Sequence, residues 1–368
     1  MKPSIPTRII GLNPYEPGKP IEEVERELGI ANCVKLASNE NPLGPSPFAL
    51  RALEAALAEV HRYPDGGAVA LTRRLADELA VGVGQLVLGN GSNELIELLT
   101  RIFASPGDEV VMSEDAFLIY ELVSRAQGAE AVKVPSREFH HDLDAIGAAI
   151  TPRTRLVFLA NPNNPTGTIF RRSEWERFLA DTPTRVVLVV DEAYSEFVDD
   201  EEFPDTLSCL NTHPGLVVLR TFSKIHGLAG LRVGYGIGPE EIIDAVARLR
   251  QPFNVNALAQ VAALAALDDH DHLKASRHLV REGRAFYYGA LDEIGLEYVE
   301  SQANFVLVRV GDGAAVTRAM LERGVIVRPM DPYGYPDMVR VTFGTAIENR
   351  RCVDALAEIC ADSIGSGC

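Results

Sequence analysis

The sequence predicts an α/β protein with a large domain, whose mostly parallel central sheet is covered by helices, and a smaller α+β domain. Three observations support this prediction. Short apolar runs alternate with helical stretches over residues 69–219, the pattern changes beyond about residue 256, and 368 residues exceed what one hydrophobic core usually organises. We expect an N-terminal arm over 1–40, the large domain over 41–255 and the small domain over 256–368.

The arm is rich in proline and glycine, which interrupt regular structure. Pro14, Pro17, Gly18 and Pro20 are among them. We therefore expect an extended segment that packs on another part of the protein. After the arm, apolar residues recur at helical spacing over 48–60, and Pro47 suits the first turn of that helix.

Alternating helices and strands follow. Helices are predicted where apolar residues recur every three or four positions, and strands where apolar and β-branched residues form short runs. The predicted helices are 69–79, 93–103 and 117–127, and the predicted strands are 86–88, 109–112, 131–134, 156–159, 186–190 and 216–219. Strands that are apolar throughout are typical of a parallel sheet with both faces buried.

The small domain has a different pattern. A long helix rich in alanine, leucine and charged residues is predicted beyond residue 256. The later elements are a strand at 304–309, a helix at 314–322, strands at 325–327 and 338–343, and a helix after 345. This mixed order predicts an α+β arrangement.

The charge balance restricts the partners that we expect. The chain has 52 acidic and 35 basic side chains, and its net charge of −17 repels nucleic-acid phosphates and anionic lipid surfaces. No apolar run is long enough for a membrane span or a signal peptide, and five dispersed cysteines indicate neither a disulfide framework nor a zinc site. We expect a cytoplasmic protein that binds neither nucleic acid nor membrane.

The residues after each predicted strand are the first place to look for a ligand site, because open parallel sheets bind ligands beyond the carboxyl ends of their strands. Four such loops stand out: GNGSNE (89–94), NPNNPTG (161–167), DEAYSEF (191–197) and TFSKIHGLAGLRVG (221–234). The first leads into a helix whose free backbone N–H groups could hold a phosphate. An ordinary turn with a polar helix cap is the alternative for this motif alone.

Two ionisable residues in these loops follow apolar strands. Asp191 ends the run VVLVV, where an unpaired carboxylate would be costly to bury. A pyridinium N–H is one possible partner, and capping of the next segment is the other. Lys224 has the apolar neighbours Phe222 and Ile225, which suit an amine that must be neutral to form a Schiff base. The nearby Arg232 can neutralise a phosphate.

Together these motifs closely resemble the fold type I aminotransferases of classes I and II, which use pyridoxal phosphate (PLP). The matching segments are Asn164-Pro-Thr-Gly, Asp191-Glu-Ala-Tyr194, and Ser223-Lys224 followed by Gly230-Leu-Arg232-Val-Gly234. Four more segments look like the histidinol-phosphate aminotransferases: Asn39-Glu-Asn-Pro42, Arg62-Tyr63-Pro-Asp65, Asn161-Pro-Asn-Asn-Pro-Thr-Gly167 and Val339-Arg340-Val-Thr-Phe-Gly-Thr345. The resemblance covers essentially the whole chain and implies the PLP-dependent transferase fold.

The resemblance implies catalytic roles for the matching residues. Lys224 would be the Schiff-base lysine and proton carrier, Asp191 the partner of the pyridine nitrogen, and Tyr194 and Asn164 donors to the ring hydroxyl. A carboxylate beside the ring nitrogen keeps it protonated, so the ring can accept electrons when the α-proton leaves. The freed Lys224 amine can then carry that proton to the cofactor.

The resemblance also implies a homodimer, in which the arm over 1–40 packs on the small domain and on the partner subunit, and a set of contacts to the cofactor. The phosphate would be held by Ser92 and Asn93, by Thr221 or Ser223, by Arg232, and by Tyr63 from a second subunit. Phe117 stands where family members stack an aromatic ring on the pyridine. Many members carry tyrosine there, and phenylalanine supplies the stacking face without the hydroxyl.

The substrate candidates are Arg340 and Arg328, with Tyr15 and Asn39 added by resemblance. A guanidinium binds a carboxylate and a phosphate with similar forked geometry, so one site could take glutamate and a phosphorylated amino alcohol in turn. The leading hypothesis is transamination between L-histidinol phosphate and 2-oxoglutarate or glutamate in histidine biosynthesis. No metal is expected.

Other activities use similar machinery. Transamination of phenylalanine or tyrosine is the nearest alternative, and a PLP-dependent phosphothreonine decarboxylase shares the same order of motifs. A PLP-binding DNA regulator is a third class. The net charge and the lack of a basic patch argue against it.

Overall fold

A computed structural model describes residues 4–16 and 18–365, with side chains described to residue 360; Pro17 of the predicted arm and the two chain ends lie outside the described residues. The arm is not wholly extended, because it contains α1 (Thr7–Ile10), α2 (Ile21–Leu28) and the short strand β1 (Val34–Lys35). Pro20 precedes α2, and Gly29 ends it in a left-handed conformation. Proline and glycine therefore bound this helix and do not interrupt it.

The larger part of the fold, which contains the central sheet, follows the predicted alternation of helices and strands. Its elements are α3 (Pro47–Ala56), α4 (Val69–Leu79), β2 (Leu86–Gly89), α5 (Ser92–Phe103), β3 (Glu109–Ser113), α6 (Ile119–Gln127), β4 (Glu130–Val134), α7 (Leu143–Ala148), β5 (Thr154–Ala160), α8 (Arg172–Asp181), β6 (Val187–Asp191), β7 (Leu216–Thr221), β8 (Gly234–Ile237), α9 (Glu240–Leu249) and α10 (Ala257–Ala266). The strands predicted for this part of the fold are all present, within two residues of their predicted bounds.

Seven strands form the central sheet in the order β2-β8-β7-β6-β5-β3-β4. The strands from β7 to β4 are parallel, and β8 is antiparallel to both of its neighbours. The sequence did not predict β8, because its GYGI sequence lacks an apolar run. A β-carbon at Gly234 would lie 2.6 Å from the backbone nitrogen of Ser92, so close packing requires glycine there.

Helices cover both faces of this sheet, as predicted. Leu156 and Phe158 of β5 pack in a cluster with residues of α5, α6 and α9. Val157 and Leu159 point to the other face, into a cluster with residues of α4, α8 and α10 that includes the buried Trp175. Because both faces are buried, the central strands carry apolar residues at most positions.

The smaller part of the fold contains α11 (His270–Ile294), β9 (Tyr298–Val299), β10 (Phe305–Arg309), α12 (Gly313–Glu322), β11 (Val325–Ile326), β12 (Arg328–Pro329), β13 (Met338–Thr342) and α13 (Ala346–Gly365). Its antiparallel sheet has the order β12-β13-β10-β9, and β1 of the arm pairs with β11. Within the described residues, no helix is both long and apolar enough to cross a membrane.

The long helix predicted beyond residue 256 is two helices. Asp269 ends the link after α10, and its carboxylate accepts a hydrogen bond from the backbone N–H of His272 in the first turn of α11. The helix α10 packs against α3, in the larger part of the fold. The domain boundary between residues 255 and 256 remains a prediction, and this packing associates α10 with the larger part.

Candidate active site

The four loops singled out in the sequence meet at the carboxyl edge of the central sheet. They contribute residues to one cavity, which lies between the large sheet and strands β12 and β13. The cavity lies where an open α/β sheet is expected to bind its ligand.

Lys224 projects into this cavity from the loop after β7. Its Nζ donates to the backbone oxygen of Ser38 at 3.2 Å and lies 5.4 Å from the centre of the Tyr194 ring. Burial, followed by the charge of Arg340, lowers the pKa of Lys224 to about 8. A useful fraction of the amine is therefore neutral near neutral pH, as a nucleophilic lysine requires.

Asp191 ends β6 and is buried. Its Oδ2 accepts from the hydroxyl of Tyr120 at 2.9 Å, and its Oδ1 accepts from the N–H of Ala193 at 3.2 Å. Burial raises the pKa of Asp191 to about 6, and these two hydrogen bonds oppose the rise. A cationic N–H donor beside this carboxylate would favour its ionised form further.

A network of hydrogen-bonded side chains joins the larger and smaller parts of the fold across the cavity. The side-chain amide of Asn39 donates to the hydroxyl of Tyr194 at 2.9 Å, and the hydroxyl of Thr342 donates to the side-chain oxygen of Asn39 at 3.1 Å. Arg340 donates to the side chain of Asn164 and, at 2.9 Å, to the backbone oxygen of Ala37. The predicted residues Asn39, Asn164, Tyr194 and Arg340 are thus brought together.

An anion site lies at the start of α5. Ser92 is the first residue of this helix and lines the cavity together with Asn93, so the backbone N–H groups of the first turn, which have no partner within the helix, lie beside the cavity. Arg232 lies next to them, and its Nη1 donates to Ser223 Oγ at 3.3 Å. Within the described residues, Arg232 has no carboxylate partner. A free guanidinium at a helix start is suited to a phosphate.

Two further arginines face each other on the small-domain side. Arg328 of β12 and Arg340 of β13 are directly paired in register and are 7% and 5% exposed. Arg328 lies over the ring of Tyr15, 5.3 Å from its centre. In the part of the chain that the structure describes, neither guanidinium pairs with a carboxylate. Since burying unpaired charges is costly, this pair indicates an anionic ligand.

The remaining predicted residues divide between the cavity and the surface. Phe117 and Thr221 line the cavity, and the rings of Phe117 and Tyr15 pack edge to face with their centres 6.3 Å apart. Tyr63 does not reach the cavity of its own chain. It is 83% exposed and stacks on Phe253, with ring centres 4.8 Å apart.

Among the described residues, no histidine lines the cavity. His226 is buried against Phe222, and burial lowers its pKa to about 3, so it is neutral. In the described residues, no group of three or more histidine, cysteine or acidic side chains could hold a metal ion. The residue that the sequence missed is Tyr120, whose partner Asp191 is distant in the chain.

The residues of the cavity fit PLP. An anion site, a buried carboxylate and a partly buried lysine amine with a lowered pKa line the same space, as the phosphate, ring nitrogen and aldehyde of the cofactor require. Gly91 keeps the anion site open. A β-carbon there would lie 2.5 Å from Nη2 of Arg232.

Comparisons with known proteins agree with this geometry. The family model "Aminotransferase class I and II" matches residues 31–356. Histidinol-phosphate aminotransferase of Moorella thermoacetica is 49% identical over 96% of this chain and 92% of that protein, and histidinol-phosphate aminotransferase 2 of Pseudomonas aeruginosa is 50% identical over 95% and 96%.

A solved structure is also similar. The crystal structure of histidinol-phosphate aminotransferase from Sinorhizobium meliloti, in complex with pyridoxal-5'-phosphate, aligns with a TM-score of 0.89 and 28% identity, and the match covers 98% of both chains. The fold, the cavity and the sequence matches agree. The chain therefore belongs to the class I and II aminotransferases and, within them, to the histidinol-phosphate aminotransferase family.

Proposed function

We propose that this chain transfers the amino group between L-histidinol phosphate and 2-oxoglutarate, with PLP as cofactor, as a step of histidine biosynthesis. The observation that carries the choice of substrate is the pair Arg328 and Arg340. These buried guanidinium groups lack carboxylate partners within the described residues and face the cavity. They can hold the phosphate of one substrate and a carboxylate of the other. The names of the relatives support the same choice.

Each end of PLP has residues that would hold it. Ser92, Asn93, Ser223 and Arg232 would hold the phosphate, with Thr221 donating to Ser223 Oγ at 3.0 Å. Phe117 would contact the ring face, and Tyr194 and Asn164 would donate to the ring hydroxyl. When bound, PLP supplies an electron sink that makes the α-proton of the substrate acidic.

The proton transfers belong to residues of this chain. The amine of Lys224 would hold the cofactor at its aldehyde carbon, with loss of the aldehyde oxygen as water. Once the amine of a substrate has displaced it, the Lys224 amine would act as the base that takes the substrate α-proton and returns it to the cofactor. Its lowered pKa makes both steps accessible near neutral pH. Asp191, which accepts a hydrogen bond from the backbone N–H of Ala193, would keep the ring nitrogen protonated.

A homodimer is part of this proposal. Tyr63 and its neighbour Phe253 are exposed together with Leu57, Val60 and Val69, and exposed apolar clusters commonly mark protein interfaces. In a dimer that buries this surface, Tyr63 would reach the phosphate site of the second subunit.

We also propose a cytoplasmic location. The described cysteines Cys33, Cys209, Cys352 and Cys360 are all free thiols. Free thiols without disulfides are typical of a reducing compartment.

The substrate is tested by half-reactions. The purified chain is loaded with PLP, and L-histidinol phosphate, glutamate, phenylalanine, tyrosine and phosphothreonine are added separately while the visible absorbance of the cofactor is followed. L-Histidinol phosphate and glutamate are expected to convert it fully to the amine form. A dominant response to phenylalanine would instead assign an aromatic aminotransferase, and carbon dioxide release from phosphothreonine would assign a decarboxylase.

The dimer is tested by mixing two inactive variants. Tyr63→Ala removes the proposed trans contact, and Lys224→Ala removes the amine. A mixed dimer would contain one site with both native residues, so co-refolded chains are expected to regain activity. The absence of any gain on mixing, with dimers present by sedimentation, would exclude the trans role of Tyr63.

A further inference from the structure

Asp191 is held by a tyrosine to which the proposed reaction assigns no step. The Tyr120 hydroxyl donates to Oδ2 of Asp191 at 2.9 Å, while the backbone N–H of Ala193 donates to Oδ1. Tyr120 is fully buried at the start of α6, and it lines the cavity. Each carboxylate oxygen thus has one donor and retains a lone pair for a further donor.

The ring of Tyr120 is fixed by two other rings. It stacks on Phe158 with centres 4.7 Å apart and planes inclined by 5°. It also packs edge to face with Phe117, with centres 5.8 Å apart and planes at 89°. Phe158 lies on β5, beside the strand that ends at Asp191. Because the ring is packed on two sides, its hydroxyl has little freedom to turn away from the carboxylate.

We propose that Tyr120 is a positioning residue, which holds the carboxylate of Asp191 in the orientation and the ionised form that keep the cofactor ring nitrogen protonated. This inference rests on the proposed PLP-dependent function. A hydrogen bond to an ionised carboxylate stabilises the charged form, and here it offsets part of the cost of burial.

The surroundings of the pair agree with this role. Burial raises the pKa of Asp191 to about 6, and the bond from Tyr120 is the largest opposing influence. The other titratable groups that face the pair are Lys224, Glu192, Tyr194 and Tyr333. Arg220 forms an ion pair with Glu192 at 2.8 Å, which reduces the repulsion between the two neighbouring carboxylates.

The test is Tyr120→Phe, which removes the hydroxyl and keeps the ring. The loss of a hydrogen bond to a charged group predicts a half-reaction about tenfold slower at neutral pH. Without this bond the pKa of Asp191 rises, so the acid limb of the pH–rate profile should move up by about one pH unit. A pH titration of the visible absorbance of the PLP-loaded chain without substrate, which does not depend on activity, should also differ between wild type and Tyr120→Phe, and identical titrations would overturn the inference. The control Tyr287→Phe removes a fully buried hydroxyl from the small-domain core and should change neither.

A double-mutant cycle distinguishes positioning from general packing. If Tyr120 acts through the carboxylate, adding Tyr120→Phe to Asp191→Asn should change the rate by less than about twofold. An equal tenfold loss in both backgrounds, or an unmoved acid limb in Tyr120→Phe, would overturn the inference. A wild-type chain that does not react with any amino donor would instead refute the proposed function.

A milder variant covers the case in which Tyr120→Phe does not fold. Phe158→Leu keeps an apolar side chain and removes the ring that stacks on Tyr120. It is expected to move the acid limb in the same direction by a smaller amount, and an unchanged limb would count against the positioning role.

Discussion

Replacing Gly91 with alanine is expected to weaken cofactor binding as well as to destabilise the fold. Gly91 precedes α5 with φ of 74° and ψ of 163°, a conformation that is essentially restricted to glycine. Its new β-carbon would lie 2.5 Å from Nη2 of Arg232, so the guanidinium would have to move. The substitution therefore acts on both the helix start and the arginine of the proposed phosphate site.

The magnitude has two contributions. Backbone strain of this kind costs about 1–3 kcal/mol, and it lowers the free energy of unfolding with or without cofactor. Displacing Arg232 removes a charge-assisted hydrogen bond worth about 1.5–3 kcal/mol from the loaded state only. Because about 1.4 kcal/mol corresponds to a factor of ten, the Kd for PLP should rise about tenfold to hundredfold.

The assay is a titration of the apo chain with PLP, followed by visible absorbance, together with thermal unfolding of each apo variant. Gly107→Ala is the matched control. Gly107 has φ of 95°, nothing lies within 4 Å of its added β-carbon, and it precedes β3 at the opposite edge of the sheet. Both variants should lose stability, and only Gly91→Ala should lose affinity. Wild-type affinity in Gly91→Ala, or an equal loss in Gly107→Ala, would refute the reasoning.

Three further predictions concern the substrate site, the lysine and the fold. Arg340→Gln should raise KM for both L-histidinol phosphate and glutamate by about tenfold or more, because it removes a guanidinium that would bind both anions. The control is Arg318→Gln, which changes an exposed arginine. Equal KM values for the two variants in steady-state kinetics would contradict the prediction. Attachment of PLP to the apo chain should accelerate as the pH rises through about 8, where burial and then Arg340 put the pKa of Lys224. In Arg340→Gln the pH at which the attachment rate is half-maximal should move upward, because Lys224 loses a positive neighbour. The rate is measured by stopped-flow absorbance, and a downward or absent shift would contradict this prediction. Ser46→Ala should lower the free energy of unfolding by about 1 kcal/mol, because Ser46 Oγ accepts from Ala49 N–H at 3.0 Å at the start of α3; an unchanged urea midpoint would exclude this cap.

The sequence was most informative where burial is uniform. Strands β5, β6 and β7 are buried along almost their whole length, so their apolar runs marked them within two residues. Strand β8 was not predicted, because its glycines are required by close packing with neighbouring elements and do not form an apolar pattern. Gly234 packs against the start of α5, and such a contact is visible only once the chain is folded.

The site was predictable in its motifs and less so in its supports. Asp191 and Lys224 follow strands that the apolar pattern locates, so their convergence follows from the sheet. Tyr120 carries no local signal of its role, since it lies 71 residues from its partner Asp191 in the chain. The contribution of Tyr63 rests on resemblance, because a contact between subunits leaves no pattern within one chain.

The covalent link between PLP and Lys224 is the central claim, and reduction with borohydride tests it most directly. The loaded chain would be reduced and digested, and its peptides would be mapped by mass spectrometry, beside Lys224→Ala treated in the same way. We predict one phosphopyridoxyl group, on Lys224, and none in the variant. A modification on another lysine, or none in the wild-type chain, would contradict the account.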